Sequence, residues 1–386
     1  MITLGFAEPT DAEFAQDPFP SKIGGQPRWL DPRHPLSADR VICDECMQPM
    51  ALLLQLSAPE DEARAFHRML YVFVCRTGAC HTTSARRCMR VLRAQLPEDN
   101  AVYEEREQGD GDDVEWVVRA GVEPAPLCVI CGLLGSKTCG KCRGRRYCSR
   151  SHQIADWNAG HRTQCCGDAA PAAPETAEHA RRLQRMLFPE HIIVSEEEEE
   201  EGEGGSAGQD SDDDGDDDDD AGSQNGTALV PAAGERAEDS EIEVDAEFMQ
   251  FQRRIQRNPD QVLRYARAPG QIASEAPLFV SASDQPDQGS DVPHCPGCGE
   301  PREFEFQVMP QLLNHLALDA ADPRSIDWGT LLVYSCPRSC PPRDSEYAEE
   351  TVCRQNFSAH GIGQKYMRAY YGDQTAFASQ FDSLNM

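Results

Sequence analysis

Residues 128–165 read CVICGLLGSKTCGKCRGRRYCSRSHQIADWNAGHRTQC. Six cysteines and two histidines recur in it as Cys128-x2-Cys131-x7-Cys139-x2-Cys142-x5-Cys148-x3-His152-x8-His161-x3-Cys165. A two-residue spacer between thiols turns both sulfurs toward one point, and eight such donors make two tetrahedral zinc sites. So short a segment has almost no core of its own. Its folding energy must come from the metal, on the order of 10 kcal/mol or more per site. The stretch also carries seven Lys/Arg against one Asp, a local charge of +6 before thiolates and metal are counted. The reading is a zinc-dependent module that binds a partner rather than one that catalyses. Its aromatics, Tyr147 and Trp157, are expected to pack inside it, which weighs against nucleic acid as the partner.

Outward from this centre the chain changes character. Among 386 residues, 39% are apolar. No apolar run approaches the roughly 18 residues of a membrane span. The start, Met-Ile-Thr-Leu-Gly-Phe-Ala-Glu-Pro, lacks the basic residues and long apolar stretch of a signal peptide. The expectation is a protein of the cytoplasm or nucleus, where thiols stay reduced and 17 cysteines call for metal rather than disulfides. The net charge of -30 is uneven, since residues 195–247 hold 23 acidic residues and one basic, Arg236. Such composition cannot offset ordering entropy, so 167–244 reads as a disordered acidic linker. Within it, 177–194 (AEHARRLQRMLFPEHIIV) reads as a short helix with an extended apolar tail. Past the linker, Phe248, Phe251 and Ile255 fall at helical spacing, followed by a break at Asn258-Pro259 and a second short helix.

The two flanks resemble each other. Near the front, Cys43-Asp-Glu-Cys46 is followed by Pro49 and the apolar run Ala51–Leu56; a second run, Met69–Val74, leads into Cys75 and Cys80. Near the back, Cys295-Pro-Gly-Cys298 is followed by Pro301 and alternating Phe304, Phe306 and Val308; Thr330–Ser335 then leads into Cys336 and Cys340. The order is shared: thiol pair, proline, strand, connection, strand, thiol pair. It predicts a mainly β protein with short helices, in which two zinc-ribbon-like β units pair as an internal repeat. Each unit would hold one zinc, with His81 the rival of Cys80 in the first. Cys88, Cys166 and Cys353 are left over. The domains are read as 1–120, 124–166, 167–244 and 245–386.

The central spacing resembles the MYND finger family. Such fingers are cross-braced, which assigns Cys128, Cys131, Cys148 and His152 to one zinc and Cys139, Cys142, His161 and Cys165 to the other. MYND fingers bind short proline-containing peptides. A wider resemblance covers nearly everything except the acidic linker and the last residues. "LGFAEP", "FPSKIGGQPRWL", Cys43/Cys46, "FHRMLYVFVCRTGAC", "RNPDQVLRYAR", "CPGCGEPREFEFQVMPQLLNHL" and "DWGTLLVYSCPRSC" are similar to the programmed cell death protein 2 family. There a histidine at the sixth finger position, here His152, is usual. The resemblance implies a dedicated chaperone for one small-subunit ribosomal protein, a homologue of bacterial protein S-five, acting in small-subunit assembly. The competing expectation is a nuclear MYND adaptor that recruits corepressors to chromatin. No G-x-S-x-G, P-loop or dinucleotide fingerprint is present, so no enzyme is expected.

Overall fold

Residues 51–57 and 67–74 are apolar on both faces, and in the computed structural model of the protein they are buried almost end to end as β3 (Ala51–Ser57) and β4 (His67–Val74). Doubly buried strands belong inside a closed or covered sheet, and here the sheet closes. With β1 (Thr3–Glu8), β2 (Lys22–Ile23), β5 (Met89–Leu96), β10 (His191–Glu197), β11 (Gln261–Tyr265), β12 (Glu303–Val308), β13 (Thr330–Ser335) and β14 (Ala348–Gln355), they form a barrel. Its order is β1-β10-β2-β3-β4-β5-β14-β13-β12-β11, and β11 pairs back onto β1. Two small hairpins stand outside it, β6 (Tyr103–Glu107) with β7 (Val114–Val118) and, in the finger, β8 (Lys137–Thr138) with β9 (Arg146–Tyr147). The structure describes residues 2–11, 14, 16–82, 84–107, 114–165, 176–198, 245–266, 276–319, 322, 324–342 and 346–357.

The flanks contribute two arcs of the ring, β2 to β5 and β11 to β14, joined where β5 pairs with β14. Their hairpins pair in matching register. Ala51 faces Val74 as Glu303 faces Ser335, and Leu56 faces Leu70 as Val308 faces Leu331. Each leading strand has its irregularity at the same point, between Leu52 and Leu54 and between Phe304 and Phe306. The buried glutamine after each bulge accepts an N–H and donates to a carbonyl of the covering segment, Arg28 and Pro20 on either side of β2 for Gln55, and Leu278 for both bonds of Gln307. A buried amide with both ends satisfied fixes that segment to the strand.

The barrel interior also carries charge. Arg68 of β4 and Glu305 of β12, both almost wholly buried, meet at 2.8 Å, although β5, β14 and β13 stand between their strands in the ring. Arg93 of β5 bonds Glu350 of β14 at 2.8 Å, and Glu350 also takes Arg302 at 2.9 Å.

Two sequence expectations are corrected. The acidic linker read over 167–244 includes a short helix and an extended apolar tail at 177–194. These are α4 (Ala177–Gln184) and β10, and what is corrected is their assignment to a linker, since β10 is a barrel strand between β1 and β2. Even the acidic Glu198 is buried, held by Arg254 at 2.6 Å and Arg264 at 2.7 Å. Residues 199–244 lie outside the described residues, as does Cys166. The second short helix after Asn258-Pro259 is instead strand β11. Its Val262 and Leu263 are buried because β1 and β12 flank it, and neighbours decide strand identity more than local propensity does. The helix before it, α5 (Ala246–Arg257), is capped by Asp245 and buries Phe248, Phe251 and Ile255, as the spacing predicts.

Candidate metal centres

Each Cys-x2-Cys pair folds as the same tight knuckle. The N–H of the residue after the second cysteine returns to the carbonyl of the first: Met47 to Cys43, Gly132 to Cys128, Arg143 to Cys139, Gly299 to Cys295. All four of those residues have left-handed backbone, with φ of 57°, 70°, 54° and 80°. Glycine adopts that region freely, whereas Met47 and Arg143 hold it against side-chain sterics. Gly297, inside the second flank's knuckle, is needed for a different reason. A Cβ there would sit 2.9 Å from the Cβ of Cys340.

The folds bring together four sets: Cys43, Cys46, Cys75 and Cys80; Cys128, Cys131, Cys148 and His152; Cys139, Cys142, His161 and Cys165; Cys295, Cys298, Cys336 and Cys340. Within each set all donor atoms lie within 4.8 Å of one another. A tetrahedron with Zn–S bonds of about 2.3 Å has an S···S edge of about 3.8 Å. The observed separations are 3.6 Å for Cys46–Cys75, 3.5 Å for Cys131–Cys148, 3.9 Å for Cys139–Cys165 and 3.7 Å for Cys298–Cys336. A disulfide would need about 2.05 Å, and the cysteines are free. The imidazoles fit the shorter S···N edge: His152 Nδ1 is 3.3 Å from Cys148 and His161 Nε2 is 3.3 Å from Cys139. The donor sets therefore fit zinc, and the finger ligands interleave along the chain in the cross-braced order.

Electrostatics points the same way. Burial, with the thiols of Cys128 and Cys148, holds Cys131 well above the ordinary thiol range; hydrogen bonds from the thiols of Cys131 and Cys148 hold Cys128 far below it. In the second flank, burial opposes ionisation of Cys295, but N–H groups of Cys298 and Gly297 bring it to about 7, while burial pushes Cys336 up to about 12. Four crowded thiols cannot all ionise alone. A divalent cation lets them.

The flank thiol pairs sit at matching places in the barrel, a knuckle before β3 and β12 and a wider-spaced pair directly after β4 and β13. His81 is not in the first set; its Nε2 lies 2.8 Å from the Cys75 carbonyl. Cys88 and Cys353 are buried outside every set, and burial pushes both up to about 11.

Sequence reasoning missed the brace behind the finger. After the knuckles come α2 (Arg150–Asp156), capped by Ser149, and α3 (Arg162–Gln164). Asp156, fully buried, accepts from the Tyr147 hydroxyl at 2.6 Å and lies 2.7 Å from His179 Nε2 on α4. The helix read as part of a linker thus seals the finger. On its other side the finger is bonded to the first flank: Gln26 donates to Val129 and Ile130, and the Trp29 indole to Gly132 at 2.7 Å. The close pass of 188–190 beneath requires Gly24, whose φ is +61° and where a Cβ would meet the Pro189 carbonyl at 2.1 Å.

Comparison with known proteins matches this layout. Residues 1–110 match the family described as programmed cell death protein 2, N-terminal domain, residues 245–356 its C-terminal putative domain, and residues 128–165 the MYND finger. Mouse programmed cell death protein 2 is 37% identical over 92% of this chain and 96% of its own length. Human programmed cell death protein 2-like is 29% identical over 86% of this chain and 88% of its own. A fission yeast protein named probable 20S rRNA accumulation protein 4 is 36% identical over 25% of this chain and 24% of its own. No solved structure matches. With its N-terminal and C-terminal segments sharing one barrel and a MYND finger between them, the chain belongs to the programmed cell death protein 2 family.

Proposed function

We propose that this protein is a zinc-dependent chaperone for a small-subunit ribosomal protein, the homologue of bacterial protein S-five, and that it holds this client before subunit assembly. The observation that carries the reading is the fission yeast relative, whose name ties it to 20S rRNA accumulation. The chemistry is compatible. A ribosomal protein without its RNA is strongly basic, and residues 199–243, which follow β10 and precede α5 in the sequence, are densely acidic. Four zinc ions, one in each set, would hold the scaffold. The matching registers support reading the two arcs as one duplicated ribbon-like unit. Client capture would then belong to both arcs together, leaving the finger to a proline-containing peptide, in the cytoplasm and the nucleus.

The test is affinity purification of the full chain from cells with and without a translation inhibitor. One small-subunit ribosomal protein should dominate and should fall sharply when translation stops. Recovery of a set of chromatin factors instead would overturn the reading in favour of the corepressor-recruiting adaptor.

A further inference from the structure

Where the β3–β4 hairpin meets the β6–β7 hairpin, the surface opens into a pocket of about 290 Å³. Phe19, Phe66, His67 and Trp116 line it together with Pro59, Glu60, Asp61 and Arg68. Phe19 stacks on the His67 ring at 4.9 Å, Trp116 meets that ring edge-on at 4.5 Å, and Phe66 stands 5.7 Å from Trp116. Phe19, Phe66 and Trp116 are half-buried, so each keeps part of its surface accessible.

The imidazole is the unusual member. His67 is 5% exposed, and its Nε2 is buried with no hydrogen-bond partner. A buried polar atom left unsatisfied in a native fold calls for an explanation, and a ligand donor is one. Burial pushes His67 down to about 4, so at neutral pH the ring is uncharged and its unprotonated nitrogen can accept.

The charges at the pocket are unequal. Arg68 is already neutralised, by Glu305 at 2.8 Å and Glu60 at 3.2 Å. Arg64, further along the hairpin, lies 4.0 Å from Glu62. Asp61 is exposed at the mouth and makes no ion pair among the described residues. A slot of π faces, a neutral acceptor and a spare carboxylate attracts cations, and it favours the planar, weakly hydrated guanidinium over a compact ammonium.

We propose that this pocket binds an arginine side chain presented by a basic protein partner. The pocket chemistry stands by itself; only the identity of that partner, a basic ribosomal protein, rests on the function proposed above.

The experiment uses the zinc-loaded full chain with its four tryptophans replaced by 5-fluorotryptophan, the Trp116 signal being assigned with Trp116→Phe. The probes are blocked Gly-Arg-Gly-Arg-Gly and the same peptide with citrulline, lysine or proline at the arginine positions. The arginine peptide should shift the Trp116 fluorine resonance and leave those of Trp29, Trp157 and Trp328 in place. Citrulline keeps the shape and loses the charge, and should bind about tenfold more weakly. Asp61→Asn should weaken the arginine peptide about twofold to fivefold, with zinc content and melting temperature unchanged.

An equal response to citrulline, a response to proline alone, lysine binding as tightly as arginine, or a silent Trp116 would each overturn the proposal. Failure here with ribosomal-protein capture intact removes the pocket and spares the chaperone. Failure of capture with arginine binding intact does the reverse.

Discussion

The hairpins β3–β4 and β12–β13 pair alike and carry like knuckles, yet they are covered by different parts of the chain. Over the first, Gln55 takes the Arg28 N–H at 2.8 Å, and that loop runs on to Trp29, which bonds the finger. Over the second, Gln307 takes the Leu278 N–H at 2.8 Å, and that loop runs on to Val280, which packs with Phe251 and Ile255 of α5. The bulge residue differs too. It is Leu53 in one hairpin and Glu305, partner of Arg68, in the other. What the hairpins share is knuckle, bulge and buried amide, the parts that fix backbone geometry. What differs is the cover and the charge, the parts that face other segments. Distinct binding surfaces are therefore to be sought in the covers.

The largest effect should come from the shared part. Cys46→Ser and Cys298→Ser each remove one donor from equivalent sets, so each should lower the zinc content by about one ion per chain. A structural zinc site is worth about 10 kcal/mol or more, comparable with the whole stability of about 5–15 kcal/mol of a typical domain. Both variants should therefore lose the cooperative melting transition. Elemental analysis and thermal melting check this, and a variant that keeps both zinc and melting temperature would break the equivalence.

Next comes the charge that only the second hairpin carries. Glu305→Leu removes the bidentate partner of the buried Arg68 guanidinium, leaving it Glu60 at 3.2 Å, and should cost up to about 3–5 kcal/mol by urea denaturation. Adding Arg68→Leu should recover most of that loss. If the double variant is as unstable as the single one, the pair is not what distinguishes the hairpins.

The smallest effect is the sharpest test of likeness. Gln55→Leu and Gln307→Leu each leave loop N–H and carbonyl groups unpaired, and each should cost about 1–3 kcal/mol. Equal costs by urea denaturation would extend the correspondence from register to energetics. A cost at one site alone would confine it to the backbone.

The ligand sets were legible because metal chemistry is local. Cys295-Pro-Gly-Cys298 announces a knuckle wherever it stands, and the strand runs beside it are strongly apolar. The left-handed knuckle position was legible at Gly132 and Gly299, where glycine marks it, and not at Met47 or Arg143. The extended tail ending at Val194 was legible, but its place in the barrel as β10 was not, because HIIVSEE runs into the acidic stretch and composition assigned it to the linker. Its strand character comes from β1 and β2, residues far away in sequence. The Asp156–His179 brace was hidden likewise, since no spacing rule connects a finger helix to a helix beyond residue 175.

The ring order also has a consequence in time. β1 sits between β10 and β11, so the strand at Thr3–Glu8 has no barrel neighbour until His191 has been made, and its second neighbour begins at Gln261. β5 likewise waits for β14, which ends at Gln355. During synthesis the finger and the β3-β4-β5 meander can form from nearby residues, while β1 and β5 keep open edges able to pair with other chains. Closure across such separations is slow, because loop entropy is lost before the long-range contacts form. A growing chain of this protein is thus exposed to aggregation over most of its length, a hazard that lasts until the final strand seals the ring.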